Sequence, residues 1–224
     1  MAGQTGDEGL RQRRVSFPCG KLTLEGLCYF PDREGVFPAV VLCHPHPLYG
    51  GSMDNNVILS VSSALVEKSI IAFMFNFRGV GGSQGSFGGG IAEQKDAVAA
   101  ISWIICQSEV DGNRVGLSGY SFGAAVALPV VCTDDRVRAV ALISLPHGKP
   151  QIFKLKNCSK PKLIICGTND IVVPLEQVQL MTREAAEPKQ SELISGADHL
   201  WWGYESVLAM KVADFFEEEL VSSK

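Results

Sequence analysis

The sequence lacks long apolar runs and any excess of positive charge. Its longest apolar stretches, such as 70–75 and 124–132, are much shorter than the roughly 20 residues that span a bilayer. Lys and Arg number 20 against 24 Asp and Glu, so the formal net charge is −4, whereas nucleic-acid-binding domains are usually basic. No apolar segment of the signal-peptide kind precedes the first predicted strand. We therefore expect no nucleic-acid partner and no membrane insertion.

The cysteines do not suggest a disulfide framework. There are seven, an odd number, and several lie inside apolar runs, where a free thiol packs like a small hydrophobic group. These are Cys43, Cys106, Cys132 and Cys166. A chain of this length buries roughly 70% of the surface of its unfolded form, so its core needs no disulfide or structural metal. Reduced cysteines predict a cytoplasmic location.

The composition is that of one ordinary globular domain, with 46% hydrophobic and 20% charged residues. Residues 1–14 are polar and include Arg11, Arg13 and Arg14, and we expect this N-terminal tail to be disordered, with its charges in solvent. Residues 15–224 are predicted to form a single domain without repeats or linkers. The Gly- and Ser-rich stretch 79–90 is predicted to be a loop between a strand and a helix.

Short β-branched runs alternate with helix-length segments along this domain. An antiparallel hairpin is predicted from strands at 15–19 and 22–30. Further strands are predicted at 39–43, 70–77, 114–118, 137–144, 162–166 and 190–194, and helices at 56–68, 92–106, 121–131, 178–186 and 207–220. Continuous apolar strands separated by helices indicate a mostly parallel, doubly wound α/β sheet with antiparallel strands at its N-terminal end. The stretch 145–161 is too short for a cap domain.

Two segments match the pattern G-x-S-x-G, which surrounds the nucleophile in many serine hydrolases. They are 119–123, centred on Ser121, and 81–85, centred on Ser83. A nucleophile at a sharp strand-to-helix turn needs a buried strand before it and a helix after it. Ser121 has both, whereas Ser83 lies among glycines with no helix for several residues. We therefore predict Ser121 as a nucleophile and interpret Ser83 as a loop serine.

A serine nucleophile requires a histidine base that is oriented by a carboxylate. His199 follows the last predicted strand, and Asp170 follows the strand before it. In parallel sheets such strand ends meet at one edge. The rivals are His147, which precedes Asp170 in an ordinary loop, and Asp198, which is adjacent to His199 and would need an awkward backbone to reach the ring. The prediction is a triad of Ser121, His199 and Asp170.

Five motifs in this order resemble the α/β-hydrolase superfamily, and in particular its small cap-less serine hydrolases, such as bacterial esterases and dienelactone-hydrolase-like proteins. They are HPHPLYGG at 44–51, NFRGVGGSQG at 76–85, GYSFG at 119–123, GTNDIVVP at 167–174 and GADH at 196–199. The resemblance covers residues 15–220 and implies the α/β-hydrolase fold without a cap. Dienelactone hydrolases carry Cys, and haloalkane dehalogenases Asp, where this chain has Ser121, so neither reaction is implied.

The resemblance also suggests an oxyanion hole made of two backbone N–H groups. One is that of Phe122, which follows the nucleophile. The second would come from the loop at 44–51, where prolines have no N–H to donate. His46 is favoured by alignment with the family pattern, with Leu48 and Tyr49 as alternatives.

The remaining predictions concern ligands. Tyr49, Tyr120, Trp201 and Trp202 are candidate substrate-binding residues, although the tryptophans and Tyr204 are equally well explained by packing of the last helix. The Arg78 loop resembles a bracing loop of the family, and neither a P-loop nor a dinucleotide-binding glycine pattern is present. His44 and His46 lack nearby acidic or thiol ligands, so no metal and no cofactor are expected.

The predicted function is hydrolysis of a small-molecule carboxylic ester with a short or medium acyl group through an acyl-enzyme. Thioesters, lactones and amides use the same triad and remain alternatives, as does a non-catalytic binding protein on the same fold. The oligomeric state does not follow from the sequence.

Overall fold

Eight strands form one sheet in the computed structural model, which describes residues 11–222. The strands are β1 (Arg11–Cys19), β2 (Leu22–Phe30), β3 (Phe37–Cys43), β4 (Ile71–Phe75), β5 (Val110–Tyr120), β6 (Val137–Ile143), β7 (Lys162–Gly167) and β8 (Lys189–Ile194). Their order is β1-β2-β4-β3-β5-β6-β7-β8. Strand β2 is antiparallel to β1 and β4, and the pairings from β4 through β8 are parallel. This arrangement confirms the predicted fold class.

Helices cover both faces of the sheet. They are α1 (Asn56–Glu67), α2 (Ala92–Ile105), α3 (Phe122–Val131), α4 (Lys149–Asn157), α5 (Leu175–Glu184) and α6 (Glu205–Phe216), which continues into a π-helical turn, Glu217–Val221. Helices α1 and α6 pack on one face and α2 to α5 on the other. Because successive side chains of a strand point to opposite faces, Val41 enters the core under α2 and α3, while Val40 and Leu42 enter the core under α1 and α6.

The N-terminal edge of the sheet differs from the prediction. Residues 11–14, which the sequence placed in a disordered tail, begin β1 and pair with β2. The guanidinium groups of Arg11 and Arg13 lie 5.3 and 4.9 Å from the centre of the Phe30 ring, and Arg13 also pairs with Glu109 at 3.1 Å. Charged side chains on an edge strand discourage pairing with other chains. Residues 1–10 of the predicted tail lie outside the described part of the chain.

Two further differences arise on the helical layers. The stretch 145–161 contains α4, which the sequence did not reveal because only Leu155 of this helix is buried and the apolar periodicity is weak. Cys106, predicted in the core, ends α2 and is exposed. The described residues add no cap layer above the sheet, and none of their helices combines the length and the apolar character needed to cross a bilayer.

Candidate active site

Ser121 occupies the sharp turn between β5 and α3. Its backbone has φ 55° and ψ −116°, a conformation that residues other than glycine rarely adopt. The turn is possible because both flanking positions are glycine. A Cβ at Gly119 would collide with the backbone of Gly123, and a Cβ at Gly123 would collide with the carbonyl of Cys43. The strained turn presents the Ser121 side chain at the carboxyl edge of the sheet.

The structure brings the three predicted triad side chains together. Ser121 Oγ lies 3.0 Å from His199 Nε2, and His199 Nδ1 lies 2.8 Å from Asp170 Oδ2. An ionised carboxylate can only accept, so His199 carries its proton on Nδ1 and its Nε2 accepts the hydrogen bond from the Ser121 hydroxyl. The His199 backbone is also held, because Tyr120 donates its hydroxyl to the His199 carbonyl at 2.5 Å.

Asp170 is buried and firmly oriented. Burial would raise the pKa of Asp170, but the hydrogen bond from His199 and that from the Val173 N–H outweigh it, so the pKa is lowered. The second oxygen, Oδ1, accepts from the N–H groups of Val172 and Val173 at 2.9 and 2.8 Å. The Asp170 carboxylate is therefore ionised, and the N–H groups of its own loop fix its orientation.

The rival residues have other roles. Asp198 Oδ1 accepts from the N–H groups of Leu200 and Trp201, both at 2.9 Å, and so shapes the loop that follows β8. His147 is exposed in the loop before α4. Ser83 is a loop residue, as interpreted from the sequence, and it is buried, donating to the Asn76 carbonyl at 2.7 Å and accepting from the Glu25 N–H at 3.0 Å.

The two histidines after β3 differ in environment. His44 is fully buried, donates from Nδ1 to the Pro45 carbonyl at 2.7 Å and accepts at Nε2 from the Phe77 N–H at 3.1 Å. Burial lowers its pKa to about 4, so the ring is neutral and both nitrogens are used by the backbone. The His46 ring lies in an aromatic cluster with Tyr49, Phe87 and Phe122. Residues 11–222 contain no cluster of side chains that suits a metal ion.

The N–H groups near Ser121 can be assigned by their hydrogen bonds. Leu48 N–H donates to His46 Nδ1 at 3.2 Å, and Tyr49 N–H donates to the His46 carbonyl at 3.0 Å. Within residues 11–222, no hydrogen bond uses the N–H of His46 or Phe122. Both of these residues line the same cavity as Ser121, so their N–H groups remain the candidate oxyanion donors.

A cavity of about 520 Å³ opens onto Ser121 and His199. Its walls come from the loops after β3, β5, β6, β7 and β8, and the other residues that line it are Pro45, His46, Tyr49, Gly50, Gly51, Asn55, Tyr120, Phe122, Ala125, Pro146, Val172 and Leu200. The lining is mostly apolar and aromatic and includes no Asp, Glu, Lys or Arg.

A sequence model described as X-Pro dipeptidyl-peptidase (S15 family) matches residues 22–153, more than half of the chain. The chain belongs to the S15 family of α/β hydrolases. The uncharacterized protein RP471 of Rickettsia prowazekii is 33% identical over an alignment of 172 residues that covers 73% of this chain and 72% of that protein. The uncharacterized protein Rv2307c of Mycobacterium tuberculosis is 30% identical over an alignment of 195 residues that covers 76% of this chain and 66% of that protein.

Solved structures place this S15-family chain among the lidless serine hydrolases. A structure of an alpha-beta serine hydrolase homologue from Coxiella burnetii is 32% identical, covers 91% of this chain and 96% of that one, and has a TM-score of 0.80. XC6422 from Xanthomonas campestris, described as an a/b serine hydrolase without lid, is 25% identical and covers 96% and 97% of the two chains with a TM-score of 0.82. Both comparisons agree with the predicted cap-less fold.

Two of the four predicted substrate-binding residues of the S15-family chain lie elsewhere. Tyr49 and Tyr120 line the cavity, but Trp201 is fully buried under α6 and donates from Nε1 to Ser144 Oγ at 3.2 Å. Its φ of 63° belongs to a turn that directs the ring into the core. Trp202 is 66% exposed and is not part of the cavity. The structure therefore places neither tryptophan at this cavity, and Tyr204, like Trp201, packs against the core.

The sequence interpretation missed several lining residues. Val172 lies two positions after Asp170, and Leu200 lies directly after His199. Their closeness in the chain to these two residues was the only sequence signal for a place in the cavity. The Arg78 loop braces the fold from outside the cavity. The Arg78 guanidinium forms a two-pronged pair with buried Asp96 of α2, with a shortest distance of 2.6 Å. Gly82 N–H is held by Glu25 at 2.6 Å.

Proposed function

We propose that this protein is a serine hydrolase that cleaves carboxylic esters through an acyl-enzyme on Ser121. The observation that carries the proposal is the chain of hydrogen bonds from Ser121 through His199 to buried Asp170, at a strained turn that opens into an uncharged cavity. This arrangement has the components that activate a serine hydroxyl: a base at 3.0 Å and a carboxylate that orients the base.

In the first half of the reaction, Ser121 Oγ attacks the ester carbonyl while His199 Nε2 takes the hydroxyl proton. Asp170 stabilises the imidazolium that forms, without itself taking a proton. The tetrahedral intermediate collapses, and His199 returns the proton to the departing alcohol. In the second half, His199 deprotonates a water that attacks the acyl-enzyme. The second tetrahedral intermediate collapses, His199 returns the proton to Ser121 Oγ, and the carboxylic acid is released.

The oxyanion of each intermediate requires N–H donors that are already in place. The N–H of Phe122 is at the start of α3, where the first helical N–H groups have no partner within the helix. We assign the second donor to His46, because the alternatives Leu48 and Tyr49 already donate to His46 itself. The favourable end of the α3 dipole adds to the stabilisation of negative charge at this point.

The lining of the cavity favours esters over peptides with an N-terminal X-Pro unit, the substrates suggested by the description of the family. A dipeptidyl-peptidase must hold the free α-ammonium of its substrate, and a buried ammonium needs an anionic partner. The lining of this cavity contains no Asp or Glu. Its volume of about 520 Å³ suits a neutral ligand of modest size. Thioesters, lactones and amides share the machinery and are separated from esters only by experiment.

A panel of chromogenic substrates tests the proposal. It contains p-nitrophenyl esters from acetyl to palmitoyl and an X-Pro p-nitroanilide, and each is measured with the wild type, Ser121→Ala and Ser83→Ala. We expect the wild type to hydrolyse the shorter esters and Ser121→Ala to be inactive on them. Ser83→Ala, which changes the serine of the second G-x-S-x-G segment, should stay active. If only the anilide is hydrolysed, the protein is a peptidase and the ester proposal is wrong. If Ser121→Ala still hydrolyses the esters, Ser121 is not the nucleophile.

A non-catalytic protein on the same fold predicts a different result. An organophosphorus reagent labels only an activated serine, so we expect a single adduct on Ser121. Absence of the adduct, together with no turnover across the panel, would favour the binding-protein alternative.

A further inference from the structure

One amide in the cavity at Ser121 has a donor that the fold does not use. Asn55 lines this cavity and caps the N-terminus of α1, where its Oδ1 accepts the Val57 N–H at 3.0 Å. Only the oxygen end of an amide accepts, so this bond assigns Nδ2 as the free end of the side chain. No hydrogen bond among residues 11–222 uses Asn55 Nδ2. The amide therefore holds two free N–H donors.

Asn55 is held in place, and its donor is open to solvent. The Asn55 N–H donates to the Ser52 carbonyl at 3.2 Å, and the Asn55 carbonyl accepts the Leu59 N–H at 3.0 Å. Among the non-exposed residues of the described chain, Ser118 Oγ is the only side-chain N or O atom that is both without a partner and shut off from solvent. Asn55 Nδ2 is therefore reached by solvent, on a half-buried residue of the cavity wall. A donor in a fixed position binds a ligand without the cost of ordering it.

The other polar side chains of the cavity have different surroundings. The triad serine and histidine take part in the reaction itself. The Tyr120 hydroxyl already donates to the His199 carbonyl. Tyr49 is 87% exposed, so water competes for its hydroxyl, and the His46 ring packs against three aromatic rings. Asn55 thus offers a half-buried, oriented donor to a ligand in the cavity.

We propose that Asn55 determines substrate specificity by donating from Nδ2 to a second, uncharged oxygen of the ester, apart from the carbonyl that Ser121 attacks. The favoured substrates are then esters that carry a ketone, an ether or a further ester group. This role rests on the proposed ester hydrolysis at Ser121 and names the class of ester. An oxygen in the acyl chain and one in the alcohol both fit this chemistry, and two substrate pairs distinguish them.

The chemistry of the cavity selects an uncharged acceptor. Asn55 Nδ2 only donates, so its partner must accept. A carboxylate or phosphate would lose its water in this cavity without gaining a cation, because the lining includes no Lys or Arg. A purely alkyl ester would displace water from the amide without replacing the hydrogen bond. The class that satisfies the amide is an ester with a neutral acceptor oxygen.

Two pairs of esters that differ by one acceptor oxygen test this role. In the first pair, p-nitrophenyl levulinate has a ketone where p-nitrophenyl pentanoate has a methylene of the acyl chain. In the second pair, methoxyethyl butanoate has an ether oxygen where butyl butanoate has a methylene of the alcohol. We expect the wild type to favour the acceptor-bearing ester of one pair by about fivefold in kcat/KM. The difference should lie in KM, because a remote hydrogen bond forms in the ground state and in the transition state alike.

Substitutions at Asn55 can remove the donor and keep the helix cap. Asn55→Asp replaces the donor by an acceptor, and Asn55→Ser withdraws it by shortening the side chain, while Asp and Ser cap helices about as well as Asn. Both variants should lose the preference and unfold in urea close to the wild-type midpoint. Asn56→Ser is the matched control and should keep the preference, because the Asn56 amide donates to Leu200 and Glu205 and does not line the cavity. Comparing each pair within one protein cancels the intrinsic reactivity of the esters.

Binding to Ser121→Ala separates the role of Asn55 from turnover. Ligand-observed NMR titrations of this variant with ethyl levulinate and ethyl pentanoate, and with the two butanoates, should show the same preference of about fivefold in Kd. Adding Asn55→Ser should abolish it. A preference in neither pair, or one that persists without the Asn55 amide, would overturn the role of Asn55 even if the esters are hydrolysed. The expected binding preference without turnover of any ester by the wild type would refute the hydrolase and support the Asn55 contact.

Discussion

Cys166 Sγ lies 3.4 Å from Asp170 Oδ2, the same oxygen that accepts the hydrogen bond from His199. Behind it, Ser144 Oγ lies 3.9 Å from Cys166 Sγ and accepts the indole N–H of Trp201 at 3.2 Å. A hydrogen bond from Ser144 also helps to lower the pKa of Asp170. The Asp170 carboxylate is thus contacted by a buried chain of polar groups, from Cys166 through Ser144 to Trp201, in addition to the N–H groups of its own loop.

Replacing Asp170 by Asn tests the carboxylate with almost no change of shape. The amide no longer favours the His199 tautomer with its proton on Nδ1, so kcat should fall by about 10⁴-fold, as in serine hydrolases in which this tautomer is lost. KM should change little, because Asp170 does not line the cavity. Steady-state kinetics with a p-nitrophenyl ester measures both. Asp198→Asn is the control, and equal losses in both variants would contradict the assignment of the acid.

Ser144→Ala tests the chain behind the carboxylate. It removes a donor to Asp170, so the pKa of Asp170 should rise and the more basic carboxylate should hold the His199 imidazolium more strongly. The acid limb of the kcat/KM profile should therefore move to higher pH. The Trp201 indole N–H also loses its partner, which should cost about 1–3 kcal/mol in the free energy of unfolding. A loss of stability with an unmoved pH profile would leave Ser144 with a purely structural role.

His44 predicts a loss of stability in weak acid. Its pKa of about 4 in the folded protein lies below the ordinary value of 6.5, so the unfolded chain binds the proton first as the pH falls. The neutral ring contributes its full stability above pH 6.5 and loses it progressively as the pH falls towards 4. Between pH 7 and pH 5 this amounts to about 2 kcal/mol.

Urea unfolding of the wild type and of His44→Gln at these two pH values isolates this effect. The glutamine does not titrate, so the variant should lose about 2 kcal/mol less than the wild type between pH 7 and pH 5. Equal losses in both proteins would show that other groups, and not His44, cause the acid sensitivity.

The triad residues were predictable because each follows a predicted strand, and the carboxyl ends of parallel strands meet at one edge. Ser121, Asp170 and His199 therefore come together without any knowledge of side-chain packing. Trp201 and Trp202 show where this reasoning ends. They follow His199 directly, but the positive φ of Trp201 turns one ring into the core and leaves the other outside, and no pattern of residue types encodes that turn.

The parts of the fold that the sequence did not predict share a physical cause. Helix α4 buries only Leu155, and the first residues of β1 bury none of their basic side chains. Both elements are held by neighbours that are distant in sequence, namely α3 and α5 for the helix and β2 for the strand. Hydrophobic periodicity reports burial, so elements that bury little give a weak signal.

The assignment of an oxyanion donor to His46 can be tested at the level of a single N–H. His46 has φ −60° and ψ 120°, values that proline also adopts, so His46→Pro removes the N–H at a position where the backbone accommodates the ring. His46→Ala removes the side chain but keeps the N–H. Both variants lose the Nδ1 acceptor for Leu48 N–H and the aromatic contacts of the ring, and they should be destabilised to a similar extent.

If the His46 N–H stabilises the oxyanion, His46→Pro should show a kcat about 10²–10³-fold below that of His46→Ala, the cost of removing one such donor. KM should be similar in the two variants, because the carbonyl oxygen gains its charge only in the transition state. Steady-state kinetics at matched folded fraction, checked by circular dichroism, gives the comparison. Equal kcat values in the two variants would show that the His46 N–H is not the second oxyanion donor. That donor would then be another N–H of the loop, and only the Phe122 N–H would keep its assignment.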